Sequence, residues 1–197
     1  MPVGMLKEKL LAGQACDVVV STPPMLEQFA LDGWVDGGSI ALLGRVPTGV
    51  AVRAGAKAPS IDTPDRLRAV LLAAARIHVP DPERATAGIH FVKVLRTLGL
   101  FEALAQRLAS HANGVSAMAA LANDEEPGAL GCTQVTEIRC AGGVTLVGAL
   151  PPPFDLATAY AASVCAAALD HALARRFVDM LVGPDSAALR RDAGFEW

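Results

Sequence analysis

Thr86, Ala87 and Gly88 lie between a short β-branched run (Ile77, Val79), closed by Pro80 and Pro82, and a helical repeat of apolar residues at Ala87, Phe91, Val94, Leu95 and Leu98. A strand that delivers small residues to a helix N-terminus leaves backbone N–H groups free, with the positive end of the helix dipole behind them. Such a place holds an anion. His90, Lys93 and Thr97 form the opposite, polar side of that helix. The same chemistry recurs where Gly114 and Val115 open a helix, where Thr133 and Gln134 join a strand to a helix, and at Val3 and Gly4 ahead of the first helix. Several such termini gathered in one cleft bind an oxyanion without a countercharge, selecting by geometry and hydrogen-bond count.

Catalytic and metal chemistry find less support. The chain has no G-x-S-x-G, P-loop, H-E-x-x-H or G-x-G-x-x-G pattern. His78, His90, His111 and His171 are scattered over different elements and read as surface or edge histidines; His90 alone falls in the first turn of the helix at the anion site. Asp124, Glu125 and Glu126 read as a solvated acidic loop, and Glu137 as a helix-capping or inter-lobe hydrogen-bonding group. Nothing assembles a nucleophile, base and orienter, so no catalytic residue, cofactor or metal site is expected. An enzyme acting on a small acid would need His90 or Glu137 to face its ligand. Cys16, Cys132, Cys140 and Cys165 form no C-x-x-C pair and are expected as buried thiols.

Composition narrows the class. With 197 residues, 52% apolar and 19% charged, the chain is globular and can bury a sizeable core in one domain or two small ones. A net charge of −3 without a Lys/Arg cluster argues against nucleic acid as a partner. Arg175, Arg176, Arg190 and Arg191 read as solvated helix ends. No stretch is apolar and long enough for membrane insertion, and the first residues carry charges where a signal peptide is apolar.

The elements that must position the donors alternate. Helices are expected at residues 4–12, 23–33, 63–74 (capped by Thr63 and Pro64), 86–98, 101–109, 114–122, 134–138, 169–183 (packing Leu169, Leu173, Phe177 and Leu181) and 186–192. Strands are expected at residues 17–20, 49–53, 77–79, 129–133, 144–149 and 157–164. This alternation indicates an α/β protein with largely parallel sheets. Pro/Gly-rich connectors at residues 44–49 and 150–155 are where the chain would pass between lobes.

The order of AGQACDVVVS, LLGRVPTGVAVRAGAKAPSIDTPDRL, DPERATAGIHFVKVLRTLGL, GALGCTQVTEI, VTLVGALPPP and FVDMLVGPDSAALRRDAGF resembles the molybdate-binding-protein-like family of solute-binding proteins that serve ABC importers. The resemblance covers essentially the whole chain. It implies a two-lobed, periplasmic-binding-protein-like (type II) α/β fold. The first lobe would comprise residues 1–46 and 152–197 and lack the family's N-terminal β-α-β portion; the second would comprise residues 47–151. It further implies a small anionic ligand (molybdate, another oxyanion or a carboxylate) held between hinged lobes, and docking on an ABC importer permease. Thr86, Ala87, Gly88, Gly114, Val115, Thr133 and Gln134 are the expected ligand-binding residues, with Ala87 and Val115 matching the family's backbone donors. Gln134 stands where the family has a ligand-contacting tyrosine, and Val3 where it has a ligand serine. The incomplete first lobe would suit a homodimer. The location would be periplasmic if a signal peptide precedes this sequence and cytoplasmic otherwise. A cytosolic ligand sensor of the same fold is the alternative.

Overall fold

The computed structural model describes residues 3–197, and their side chains from residue 6 onward. In chain order its elements are α1 (Val3–Leu11), β1 (Val18–Ser21), α2 (Pro23–Leu31), β2 (Ala41–Arg53), α3 (Pro64–Ala73), β3 (Ile77–Pro80), α4 (Thr86–Thr97), α5 (Phe101–Leu104), β4 (Leu108–His111), α6 (Gly114–Ala122), β5 (Leu130–Gln134), α7 (Val135–Cys140), β6 (Val144–Ala149), β7 (Ala157–Val164), α8 (His171–Val182) and α9 (Ala187–Ala193). They fall into two compact units, Val3–Val46 with Thr158–Trp197, and Pro47–Ala157.

The second unit is a sheet covered on both faces. β3 lies between β5 and β4, parallel to each. β2 runs antiparallel to both β5 and β6, and because the same residues Gly49, Val50 and Ala51 pair with each, these strands take its two edges. Side chains alternate across the pleat. Val50, Val52, Ile77, Val79, Leu130 and Cys132 point to one face, where Leu67 and Leu71 of α3 and Phe91, Val94 and Leu95 of α4 close the core. Ala51 points to the other, against Ala117, Met118 and Leu121 of α6 and Ile138 of α7. α3 starts as its sequence dictates: the Thr63 side chain accepts the N–H of Arg66 at 3.3 Å and Pro64 takes the first helical position.

In the first unit β1 pairs antiparallel with β7, which neighbours β2. Val19, Leu26, Phe29, Val35 and Cys165 form one core of this unit; Leu43, Val164, Ala174 and Val178 form another.

Several expectations need correction. The sheet is mixed, because β2 runs against β5 and β6, and β7 against β1. Residues 101–109 are not one helix: α5 passes through a 3-10 turn (Ala105–Arg107) into β4, an edge strand that pairs only with β3 among the described residues. Residues 44–49 lie within β2 and not in a separate connector, although the chain does pass from one unit to the other there, between Val46 and Pro47. Pro47 fits there because the ladder to β5 begins at Thr48, so its missing N–H is not needed for that ladder. Residues 152–157 belong to the second unit, since Phe154 is part of its core and the Thr48 N–H donates to the Leu156 carbonyl at 3.1 Å. In α8 the buried residues are Ala174 and Val178, with Leu181 packed against the same cluster, whereas Leu173 and Phe177 are exposed, as is Leu169 ahead of the helix. Cys140 is exposed and Cys16 half-buried; only Cys132 and Cys165 are buried, and all four thiols are free. Arg190 is not a solvated end: it donates to the carbonyls of Val182 (2.9 Å), Gly183 (3.3 Å) and Leu181, satisfying the end of α8.

Candidate functional site

Three adjacent parallel strands, β5, β3 and β4, each deliver the chain into a helix, so the beginnings of α7, α4 and α6 lie along one edge of the second unit's sheet. At the end of β3 the Asp81 carboxylate accepts the N–H groups of Glu83 (2.8 Å) and Arg84 (3.0 Å), which folds the turn back. The cap residue, Ala85, has no side-chain oxygen to offer. The first helical bond is Ile89 N–H to Ala85 carbonyl, 2.9 Å. The N–H groups of Thr86, Ala87 and Gly88 therefore precede the helical ladder, with no hydrogen-bond partner among the described residues. Gly88 is required by space: a Cβ there would collide with the Pro80 and Asp81 carbonyl oxygens.

α6 begins differently. Asn113 and Ser116 form a reciprocal capping box, with Ser116 N–H to Asn113 Oδ1 at 2.9 Å and Asn113 N–H to Ser116 Oγ at 3.2 Å. The box satisfies the third position and leaves the N–H groups of Gly114 and Val115 ahead of the ladder, without a partner among the described residues. The Val115 side chain is exposed, not part of the core face.

Gly114 is where the expected residues meet. A Cβ at Gly114 would overlap the Thr133 hydroxyl and the Glu137 carboxylate, so the start of α6 sits directly against the end of β5 and the first turn of α7. Thr133 is fully buried and its hydroxyl donates to Glu137 Oε2 in a short bond. Gln134 is buried, opposite Thr48 in the ladder and at the cap of α7. The structure thus joins Gly114 and Thr133 in direct contact, with Val115 and Gln134 next to them in sequence, and sets Thr86, Ala87 and Gly88 at the neighbouring strand end. Val3 and Gly4 are the first residues of α1, in the other unit; their side chains lie outside the described residues. His90 donates its Nε2–H to the Phe154 carbonyl at 2.8 Å, which ties it to the chain after β6. Asn113, Ser116 and the contact of Glu137 with Gly114 escaped the sequence reading; an N-x-x-S string ahead of an apolar run is the signal that marks the capping pair.

A second polar cluster crosses the same unit. His78 is buried, not a surface residue. Its Nε2 lies 2.8 Å from Asp124 Oδ2 and its Nδ1 2.9 Å from His111 Nε2, with the two rings stacked at 5.2 Å. Asp124 also accepts Arg76 at 3.2 Å, and its side chain is only 6% exposed, so it is not part of a solvated acidic loop. Burial alone would raise the Asp124 carboxyl, but the Glu126 N–H, His78 and Arg76 more than offset this and hold it below its ordinary value. Among the described residues no group of three or more His, Cys, Asp or Glu could hold a metal ion.

The family profile of the bacterial extracellular solute-binding proteins matches residues 1–196. The chain belongs to that family. This solute-binding protein is 28% identical over 193 residues to the molybdate-binding protein ModA of Escherichia coli K12, covering 96% of this chain and 74% of that protein. It is 24% identical over 195 residues to an aconitate isomerase of a Pseudomonas species, covering 97% and 71%. Among solved structures, the periplasmic molybdate-binding protein of Azotobacter vinelandii superposes with a TM-score of 0.80 at 20% identity, over 100% of this chain and 84% of that one. That likeness shows a shared fold. No helix among the described residues is long and apolar enough to cross a membrane.

Proposed function

We propose that this solute-binding protein captures a small oxyanion or small carboxylate for an ABC importer, outside the cytoplasmic membrane and without catalysis. The observation that carries the reading is the edge where α4 and α6 begin. It offers five backbone N–H groups, from Thr86, Ala87, Gly88, Gly114 and Val115, without a partner among the described residues, and no lysine or arginine among them. Gln134, at the cap of α7 beside this edge, stands where the family has a tyrosine. ModA and the Azotobacter protein are both named for binding molybdate, which supports an oxyanion.

Isothermal titration against molybdate, tungstate, sulfate, phosphate and aconitate tests the proposal. Saturable binding of at least one anion is expected, weakened when Thr86 is replaced by proline, which deletes one donor N–H. An absence of binding across the series would overturn it. The aconitate isomerase relative supplies one reason for a second reading, an enzyme acting on a small acid. Of the two residues such an enzyme would draw on, His90 has its Nε2–H held by the Phe154 carbonyl, whereas Glu137 lies against Gly114 at the start of α6. Turnover of aconitate, followed by proton NMR, would reinstate the enzyme.

A further inference from the structure

The start of α6 already has an anionic neighbour of its own. The Glu137 carboxylate rests against the Gly114 Cα, in the space that any side chain at position 114 would take. Thr133 holds it there, donating its hydroxyl to Oε2, and Thr133 itself is immobilised in the ladder between β5 and β2 opposite Gly49. Two consequences follow from donor and acceptor counting. The Thr133 hydroxyl proton is engaged, so the side chain positions Glu137 and has no proton left for a ligand. A carboxylate has about four acceptor sites and no donor, so one hydrogen bond from Thr133 leaves Glu137 able to accept more, against the residue that opens α6. The local lining is therefore mixed: backbone donors that want an anion's oxygens, and an acceptor that wants a proton.

Resting on the anion-binding reading above, we infer that Glu137 is a specificity-determining residue, and that the ligand is an anion carrying its own hydrogen-bond donor, of the hydrogen-phosphate or hydroxycarboxylate type. An oxygen of such a ligand accepts from Gly114 and Val115 while its O–H donates to Glu137. A fully deprotonated oxyanion such as sulfate, molybdate or tungstate brings only acceptors. It sets oxygen lone pairs against the carboxylate, a like-charge contact that discriminates without any steric clash. Gly114 makes this possible, since any larger residue there would displace the carboxylate.

The test compares phosphate with sulfate, nearly identical in size and differing at pH 7 in the retained proton, by isothermal titration with the wild-type chain and with Glu137→Gln. Glutamine keeps the shape and can still accept from Thr133, and it removes the charge. The wild type is expected to bind phosphate about tenfold or more tightly than sulfate, the factor set by one unpaired polar contact. In Glu137→Gln the ratio should collapse to within about threefold, chiefly through tighter sulfate binding. Thr133→Val, which frees the carboxylate from its anchor, should erode the ratio without abolishing phosphate binding. Wild-type affinity for sulfate or molybdate equal to that for phosphate would overturn the inference, as would a ratio unmoved by Glu137→Gln, and either result would leave the anion-binding reading standing. Wild-type chain that binds no anion at all, with its unfolding transition intact, would remove both.

Discussion

His78 and His111 meet across two parallel strands with one proton between their facing nitrogens. Ionised Asp124 can only accept, so His78 donates to it from Nε2, and His78 Nδ1 and His111 Nε2 share the second hydrogen bond. Burial first, and the neighbouring His78 second, push His111 below the ordinary histidine value. The folded state therefore takes up its proton at lower pH than the unfolded chain does. Stability from this group is complete above about pH 6.5 and falls as the pH drops through the interval below it. Urea midpoints measured at pH 7.5 and 5.5 should show that loss, and His111→Asn should flatten it; the Asp124 contribution sits in a separate window, lost only as the pH falls through the depressed carboxyl value. The thiols offer a second check at this scale. Burial above all, then contact with Cys16, pushes the Cys165 thiol up to about 12, and burial pushes Cys132 up as well, whereas Cys140 is exposed. A thiol reagent at pH 8 should label Cys140 promptly and leave Cys132 and Cys165 untouched until the chain unfolds.

At the scale of elements, the parts readable in the sequence are those whose signals are local. Thr63 and Pro64 announce α3, and the step from β-branched residues to a helical repeat at Thr86 announces β3 and α4, because caps and periodicity act within one or two turns. β4 was not readable. Leu108, Ala109, Ser110 and His111 have no β-branched member, and only pairing with β3 makes them a strand. The pairing of His78 with Asp124, and of Gly114 with Glu137, joins residues far apart in the chain, so no spacing rule could reveal it. The same logic picks the cleanest probe of the α4 donors. Position 86 is the first of its helix, its N–H has no partner among the described residues, and Ala85 before it is already extended (φ −98°, ψ 130°). Proline is welcome at such a position, as at the start of α2 in this same chain. Thr86→Pro should thus leave the urea midpoint nearly unchanged while weakening anion binding about tenfold or more, the worth of one hydrogen bond to a charged group. Equal affinity in the variant would mean that the Thr86 N–H does not touch the ligand.

Across the whole molecule, the proposed function rests on a division of labour between core and edge. Within the second unit, the α3–α4 face and the α6–α7 face of the sheet hold β5, β3 and β4 in fixed register, and that register sets the spacing of the helix starts. Gly88 and Gly114 complete it, one letting α4 press against the end of β3 and the other letting α6 meet β5. Donors placed this way are held by the sheet before an anion arrives, which lowers the ordering cost of the proposed binding. Binding to the folded chain alone adds stability set by the ratio of ligand concentration to dissociation constant. A ligand present at 100 times its dissociation constant stabilises the folded chain by about 2.7 kcal/mol, which for a chain of this size raises the melting temperature by about 5–10 °C. Differential scanning fluorimetry across the anion series reads this directly. The shift should track the affinities from titration, anion by anion, and should shrink in Thr86→Pro although that variant melts at the wild-type temperature without ligand. A shift that appears equally with every salt, and persists undiminished in Thr86→Pro, would instead reflect general ion exclusion from the protein surface, and the edge at α4 and α6 would no longer be the place where the anion binds.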